Sequence, residues 1–288
     1  MTVGVTAEAG CWRDRGLNLC RKPGALPKLV GHRGALAIAP ENTMVSFERA
    51  WQDGADLIEL DVRLSADGHP VVFHDALVDR TTDATGLIHE MTLAEIKQLD
   101  AGAWFDPQFA GERVPTLAEV LRWAKGRVGL LLELKFHPYG AFGAALVPVV
   151  LELVTDLGMD DHVAMISYQP RALVQVKALA PYIQAGPITP WDRTLSVVSR
   201  LARRFAELTR LRVVRKVLTR PLTYALSWGC DIVGPNVQVV TPTLVNAAHA
   251  LNIPVSCGGL LWDYPAAITM GLDTISADNP GLVRKTYL

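Results

Sequence analysis

The 288-residue sequence predicts an α/β fold, a (β/α)8 TIM barrel with a small insertion after the second strand and a basic helical insertion after the fifth. Three observations carry that expectation. From Lys28 onward, short apolar runs alternate with longer stretches of helical periodicity. Several of the runs are continuously apolar, as strands covered on both faces of a parallel sheet are. Eight such units in roughly 250 residues match the size of a closed (β/α)8 barrel. An open doubly wound sheet is the alternative with the same alternation.

Strands are expected at residues 28–31, 56–64, 129–136, 162–167, 182–188, 231–234, 253–257 and 274–277. Helices are expected at 43–52, 116–125, 146–157, 171–180, 242–251 and 264–270, several opening on a Ser, Thr or Asp cap or an early Pro and stopping at Gly. Residues 1–27 precede the barrel domain, 28–288. Arg13, Asp14 and Arg15 interrupt them before a continuous apolar stretch forms, so they read as a loose extension or surface wrap and not as a signal peptide. Residues 75–114 break the repeat with turn-rich pieces such as Thr82-Asp83-Ala84-Thr85-Gly86 and one short helical pattern at 93–99, which reads as a small insertion. Residues 191–224 break it again. Arg200, Arg203, Arg204, Arg210, Arg212, Arg215, Lys216 and Arg220 accompany Leu195, Val198, Leu201, Phe205 and Leu208 at helical spacing, an amphipathic basic helix or helix pair. Residues 232–262 carry no charge, but Pro235, Pro242, Pro254 and the Gly258-Gly259 pair divide them into strand, helix and strand of a soluble fold.

Half of the residues are apolar and a fifth charged, enough for a sizeable core and against disorder. Lys plus Arg number 28 against 29 Asp plus Glu, a balance that argues against nucleic-acid binding. Four Cys without a CxxC pair suit neither a disulfide scaffold nor a zinc ribbon, and are expected as reduced thiols in a cytoplasmic protein.

The chemistry is concentrated near the strand ends. Along Asp56-Leu57-Ile58-Glu59-Leu60-Asp61-Val62, Glu59 and Asp61 share one face of the strand, and Glu133 and Lys135 share a face of the next. In a barrel these side chains converge at the C-terminal rim, where active sites sit. Three carboxylates there repel one another unless a cation intervenes, and oxygen-only ligands favour Mg²⁺ or Ca²⁺. A structural Glu133–Lys135 salt bridge is the plainer reading of that pair. His32 and Arg33 follow the first strand within Gly31-His32-Arg33-Gly34, and His74-Asp75 ends the apolar run Val71-Val72-Phe73. Two imidazoles at one site can divide acid and base work. Arg33 and Lys135 supply the cations an anionic oxygen-rich group requires. A divalent ion together with Arg33 and Lys135 exceeds the three carboxylates by one positive charge, so a phosphodiester monoanion leaves the site near neutral.

Gly31-His32-Arg33-Gly34, Pro40-Glu41-Asn42-Thr43, Glu59-Leu60-Asp61, His74-Asp75, Arg80-Thr81-Thr82 and Glu133-Leu134-Lys135, in this order and spacing, closely resemble the glycerophosphodiester phosphodiesterases. The resemblance covers residues 29–280 and is strongest before Phe136. It implies a (β/α)8 barrel with an insertion after the second strand, and metal-dependent cleavage of glycerophosphodiesters to glycerol 3-phosphate and an alcohol. By position, Glu59, Asp61 and Glu133 match the metal ligands, His32 and His74 the acid/base pair, and Arg33 and Lys135 the phosphate-binding residues. The expected chemistry is in-line displacement, with His32 taking a proton from the nucleophile (water or a neighbouring glycerol hydroxyl) and His74 protonating the leaving alkoxide. The chain departs from the family at the seventh strand. An aromatic-Thr-Val-Asn stretch is replaced by Val255-Ser256-Cys257-Gly258-Gly259, which implies a wider pocket or one filled by another group such as Trp262.

Asn42 or Thr43 is expected to cap the first helix, Glu41 and Asp75 either to orient the site or to serve a purely structural role, and His137 to play a structural role, with a substrate contact as its alternative. His69, His89, His162 and His249 are expected as surface or packing residues, and Cys257 as a small core residue. A helical lid or a subunit contact is the plainer reading of the basic stretch 191–224, which also admits peripheral membrane or lipid contact. With it comes an alternative activity, lysophospholipase D or sphingomyelinase D-like cleavage of lipid phosphodiesters. A non-catalytic phosphate-binding protein is the reading from another class; it predicts a missing ligand or His, and none is missing.

Overall fold

In the computed structural model the described residues are 17–22, 24–135, 142–189, 193–257 and 263–288; side chains are not described at 142–144, 193–194, 203 and 206. Eight strands run β1 Lys28–Gly31, β2 Leu57–Leu64, β3 Pro70–Val72, β4 Gly129–Leu134, β5 Val163–Ser167, β6 Ala185–Pro187, β7 Ser256–Cys257 and β8 Thr274–Ala277. The helices are α1 Met44–Gln52, α2 Leu93–Ile96, α3 Leu117–Ala124, α4 Phe142–Asp156, α5 Pro170–Leu179, α6 Arg193–Arg204, α7 Arg212–Leu218, α8 Arg220–Ser227, α9 Pro242–His249, α10 Tyr264–Met270 and α11 Pro280–Tyr287. The sheet order is β6-β5-β4-β2-β1-β8-β7, parallel throughout, with β3 antiparallel to β2 off this path.

The sixth barrel strand, expected at 231–234, is reduced to two parallel bridges, Ile188 to Gly234 and Val233 to Val255, which link the β6 and β7 edges. The backbones lie close at this seam, since a Cβ on Gly186 would stand 2.3 Å from the Ile232 carbonyl oxygen. Backbone bonds still join this segment to both sides, the Asp231 and Gly234 amides donating to the Ala185 and Pro187 carbonyls and the Val233 amide to the Pro254 carbonyl. The fifth and seventh strands are shorter than expected, at Ala185–Pro187 and Ser256–Cys257. The uncharged run 232–262 forms bridge, α9 and β7 over its described part, and no described helix is long and apolar enough to cross a membrane.

Alternation along β2 and β4 divides the core. Ile58, Leu60, Val62, Leu130, Leu132 and Leu134 point outward into the layer beneath the helices, while Leu57 and Leu131 point into the barrel with Val30, Ala164, Ile166 and Ile232. Leu17 and Leu19 close that inner cluster from the N-terminal side. Leu19 is fully buried and its amide donates to Gln184 Oε1 at 2.8 Å. Leu17 and Leu19 therefore close the barrel floor, where the sequence suggests a loose extension or surface wrap. Beyond β2, the β3 hairpin leads into residues up to Val114, which enclose a separate small cluster of Val71, Phe73, Val78, Ile88, Ile96, Leu99 and Val114. After β6, helices α6, α7 and α8 cover the stretch read as a basic insertion.

Candidate active site

Register sets the site. Asp61 on β2 pairs with Glu133 on β4, and in a parallel sheet paired residues face the same way. Glu59 lies two residues earlier on that face. The three carboxylates are buried, and one oxygen from each lies within 4.8 Å of the others. Burial and the neighbouring Asp61 charge push Glu59 up to about 7. Burial likewise raises Glu133. Asp61 goes the other way, because Lys135, Arg33 and the Asn42 hydrogen bond outweigh its burial and hold it ionised. Its Oδ1 is buried without an aligned hydrogen bond, although Lys135 Nζ lies 3.0 Å away as an ion-pair partner. Lys135 also contacts Glu133 Oε1. The plainer salt-bridge reading of Glu133 and Lys135 therefore describes a real contact, but one that leaves Glu59 without a side-chain cation in direct contact among the described residues. An oxygen-only, buried, mutually repelling trio with an unsatisfied oxygen fits a hard divalent cation.

The first βα turn delivers two more groups. Gly34 has φ +88°, and a Cβ there would stand 2.3 Å from Ser46 Oγ, so the turn presses directly on α1. Arg33 and Asn42 also adopt left-handed backbone, at φ +49° and +58°. Such strain in non-glycine residues persists only when surrounding bonds hold it. Here the Asn42 amide donates to the Arg33 carbonyl at 3.1 Å, as does Ser46 Oγ. Thr43 caps α1. Asn42 instead turns its side-chain amide to Asp61 Oδ2 at 2.7 Å and accepts from the Asp61 amide. The Arg33 amide donates to Glu59 at 3.0 Å, and its guanidinium reaches Glu41 at 2.9 Å and Asp61 at 3.3 Å.

Each imidazole has its own carboxylate. His32 Nδ1 is 2.8 Å from Asp278 Oδ1, just beyond β8, and His74 Nδ1 is 2.5 Å from Asp75 Oδ1. Burial disfavours the charged form of His32, but the Asp278 hydrogen bond and the Glu59 charge prevail and raise its pKa. For His74, burial prevails, with Lys135 and Arg33 adding to it, and its pKa falls. Asp75 is drawn down to about 2, since hydrogen bonds from Arg80 and His74 outweigh its burial. Arg80 bridges Asp75 at 2.6 Å and Glu41 at 2.8 Å, so an ion-pair chain runs from His74 to Arg33. Arg63 holds the His74 carbonyl at 2.6 Å.

All seven residues singled out from sequence thus converge. His32, Arg33, Glu59, His74, Glu133 and Lys135 line a cavity of about 210 Å³, and Asp61 lies beneath it. Tyr168, Thr189, Asn236, Ser256 and Ser276 add polar side chains to its wall, beside the apolar Leu131, Ile166 and Ile188. Sequence reading missed Asp278 and the Asn42 contact; an acid beside the last strand's end was the only available signal for the first. His137 and Trp262 lie outside the described residues. His249 pairs with Asp273 at 2.8 Å, away from the cavity lining, in keeping with a packing role. Cys257 is buried in the core.

The family model described as "Glycerophosphoryl diester phosphodiesterase family" matches residues 32–282. The chain is 41% identical over 161 residues to the YhdW protein of Bacillus subtilis strain 168, covering 56% of this chain and 65% of that one. It is 38% identical over 173 residues to a glycerophosphodiester phosphodiesterase of Caldanaerobacter subterraneus subsp. tengcongensis, covering 58% and 71%. The aligned segments thus span roughly two thirds of these relatives' own length. Among solved structures, an Oleispira antarctica phosphodiesterase in complex with the product sn-glycerol-3-phosphate superposes with a TM-score of 0.71 at 29% identity, covering 90% of this chain and 96% of that one.

Proposed function

Because the chain belongs to the glycerophosphoryl diester phosphodiesterase family, we propose that it hydrolyses glycerophosphodiesters to glycerol 3-phosphate and an alcohol by His acid/base catalysis. The observation that carries this reading is the juxtaposition of the buried trio Glu59, Asp61 and Glu133 with two carboxylate-anchored imidazoles and two cations in one cavity. The product seen in the Oleispira enzyme supports the same substrate class.

Glu59, Asp61 and Glu133 would hold one divalent cation, Mg²⁺ or Ca²⁺, which when bound supplies Lewis-acid polarisation of a phosphoryl oxygen. Arg33 and Lys135 receive the non-bridging oxygens and stabilise the charge that grows on them in the transition state. Asp278 and Asp75 each fix an imidazole by its Nδ1, leaving Nε2 for proton transfer. The raised pKa of His32 suits a proton donor and the lowered pKa of His74 a proton acceptor. That is the reverse of the roles the sequence alone suggests. His74 then takes the proton of the nucleophile, and His32 gives one to the leaving alkoxide.

A panel of glycerophosphodiesters and lysophospholipids, assayed with each divalent ion after chelation, tests the proposal. It predicts glycerol 3-phosphate from glycerophosphocholine, loss on chelation, and recovery with Mg²⁺ or Ca²⁺. No turnover of any diester with any ion would overturn it.

A further inference from the structure

We propose that the surface of α6, α7 and α8 is a docking site for an anionic lipid bilayer. Residues 193–220 hold nine Lys or Arg against the single acid Glu207, in a chain whose formal charge is −1, so the rest of the protein is net acidic. Arg200, Arg204, Arg210, Arg212, Arg215 and Lys216 are all exposed. The only ion pair among the described residues of this group is Arg210 to Glu207, itself exposed. Arg210, Arg212, Arg215 and Lys216 line one open groove, large enough to admit phosphate head groups.

Charge alone would suit any polyanion; the apolar residues select a bilayer. Helix α6 already buries one face, through Leu195, Ser196, Ser199 and Ala202. A second row, Val197, Leu201 and Phe205, recurs every four residues and is 42%, 45% and 51% exposed. Leu211 and Val213, at the start of α7, are 52% and 69% exposed. Arg200 and Arg204 adjoin the row in sequence, and Arg210 and Arg212 adjoin Leu211. An apolar stripe edged by cations on an already anchored helix is the pattern of a segment lying in a membrane interface. A nucleic acid or soluble polyanion gives aliphatic side chains nothing to bury against. The buried face of α6 packs beside the catalytic cavity. Ser196 and Ser199 hydrogen-bond to Gln238 and the Val239 carbonyl, immediately past the cavity residue Asn236.

Cosedimentation of the full chain with unilamellar vesicles tests this without substrate. The protein should sediment with vesicles enriched in phosphatidylglycerol, not with pure phosphatidylcholine, and less as salt is added. The triple variant Arg212→Glu, Arg215→Glu, Lys216→Glu should lose roughly tenfold or more in partitioning. The double variant Phe205→Ser, Val213→Ser should weaken vesicle binding while leaving any binding of inorganic polyphosphate unchanged. Unaltered circular dichroism and unaltered turnover of a soluble diester verify that both variants fold. The proposal is overturned if anionic vesicles do not retain the protein, or if charge reversal leaves partitioning intact. It is also overturned if the apolar variant binds vesicles like the parent while polyphosphate competes, the behaviour of a general polyanion patch.

Discussion

His32 and His74 sit beside the same carboxylate trio yet are driven in opposite directions, because Asp278 and Glu59 surround one while burial and two cations govern the other. If both act as proposed, replacing either with Ala should cost about 10² to 10⁴ in rate while the melting temperature holds; near-normal turnover would reject the assignment. The pH profile should be bell-shaped. Its acidic limb reports His74, which must be neutral, and its alkaline limb reports His32, which must keep its proton. Since Asp278 raises the His32 pKa, Asp278→Asn should move the alkaline limb to lower pH and leave the acidic limb in place. A profile in which neither limb moves would contradict the pairing.

At the scale of elements, the barrel floor carries the clearest energetic consequence. Leu19 is fully buried in the inner cluster that holds Val30, Leu57 and Leu131. Leu19→Ala should therefore lower unfolding stability by about 2–5 kcal/mol in a denaturant titration, with little change in KM. A loss within the range of a surface substitution would show that the plug is dispensable. This segment was not legible in the sequence. Six residues cannot display a period, and Leu19 is recognisable as core only once the barrel exists to receive it. The central strands were legible, because β2 and β4 are long apolar runs and any charge within them stands out. Glu59, Asp61 and Glu133 were visible for that reason. The sixth strand, expected at 231–234, pairs by bridges at Val233 and Gly234, because apolar composition does not set how far pairing extends. Asn42 looked like a cap because it precedes a helix; only its left-handed backbone turns the side chain to Asp61. Asp278 serves His32 across 246 residues, a distance over which sequence gives no pairing signal.

Over the whole molecule, the site opposes the stability of the fold that holds it. Glu59 has its pKa raised from 4.5 to about 7, so the metal-free native state binds a proton the unfolded chain releases. By linkage, its contribution to stability is greatest at low pH and is lost as pH rises from about 4.5 through 7. The melting temperature of the metal-free protein should fall across that window. Glu59→Gln should flatten the fall, and saturating divalent cation should remove it by binding the native state. A slope unchanged by Glu59→Gln would place the source elsewhere. The whole account depends on one cation held by three strand carboxylates beneath two imidazoles. A crystal structure of the Mn²⁺-loaded protein with sn-glycerol 3-phosphate, read by anomalous scattering, tests it most directly. The account predicts a single strong peak within ligand distance of Glu59, Asp61 and Glu133, with the phosphate between His32 and His74. A peak bound elsewhere, or a phosphate beyond reach of both imidazoles, would contradict it.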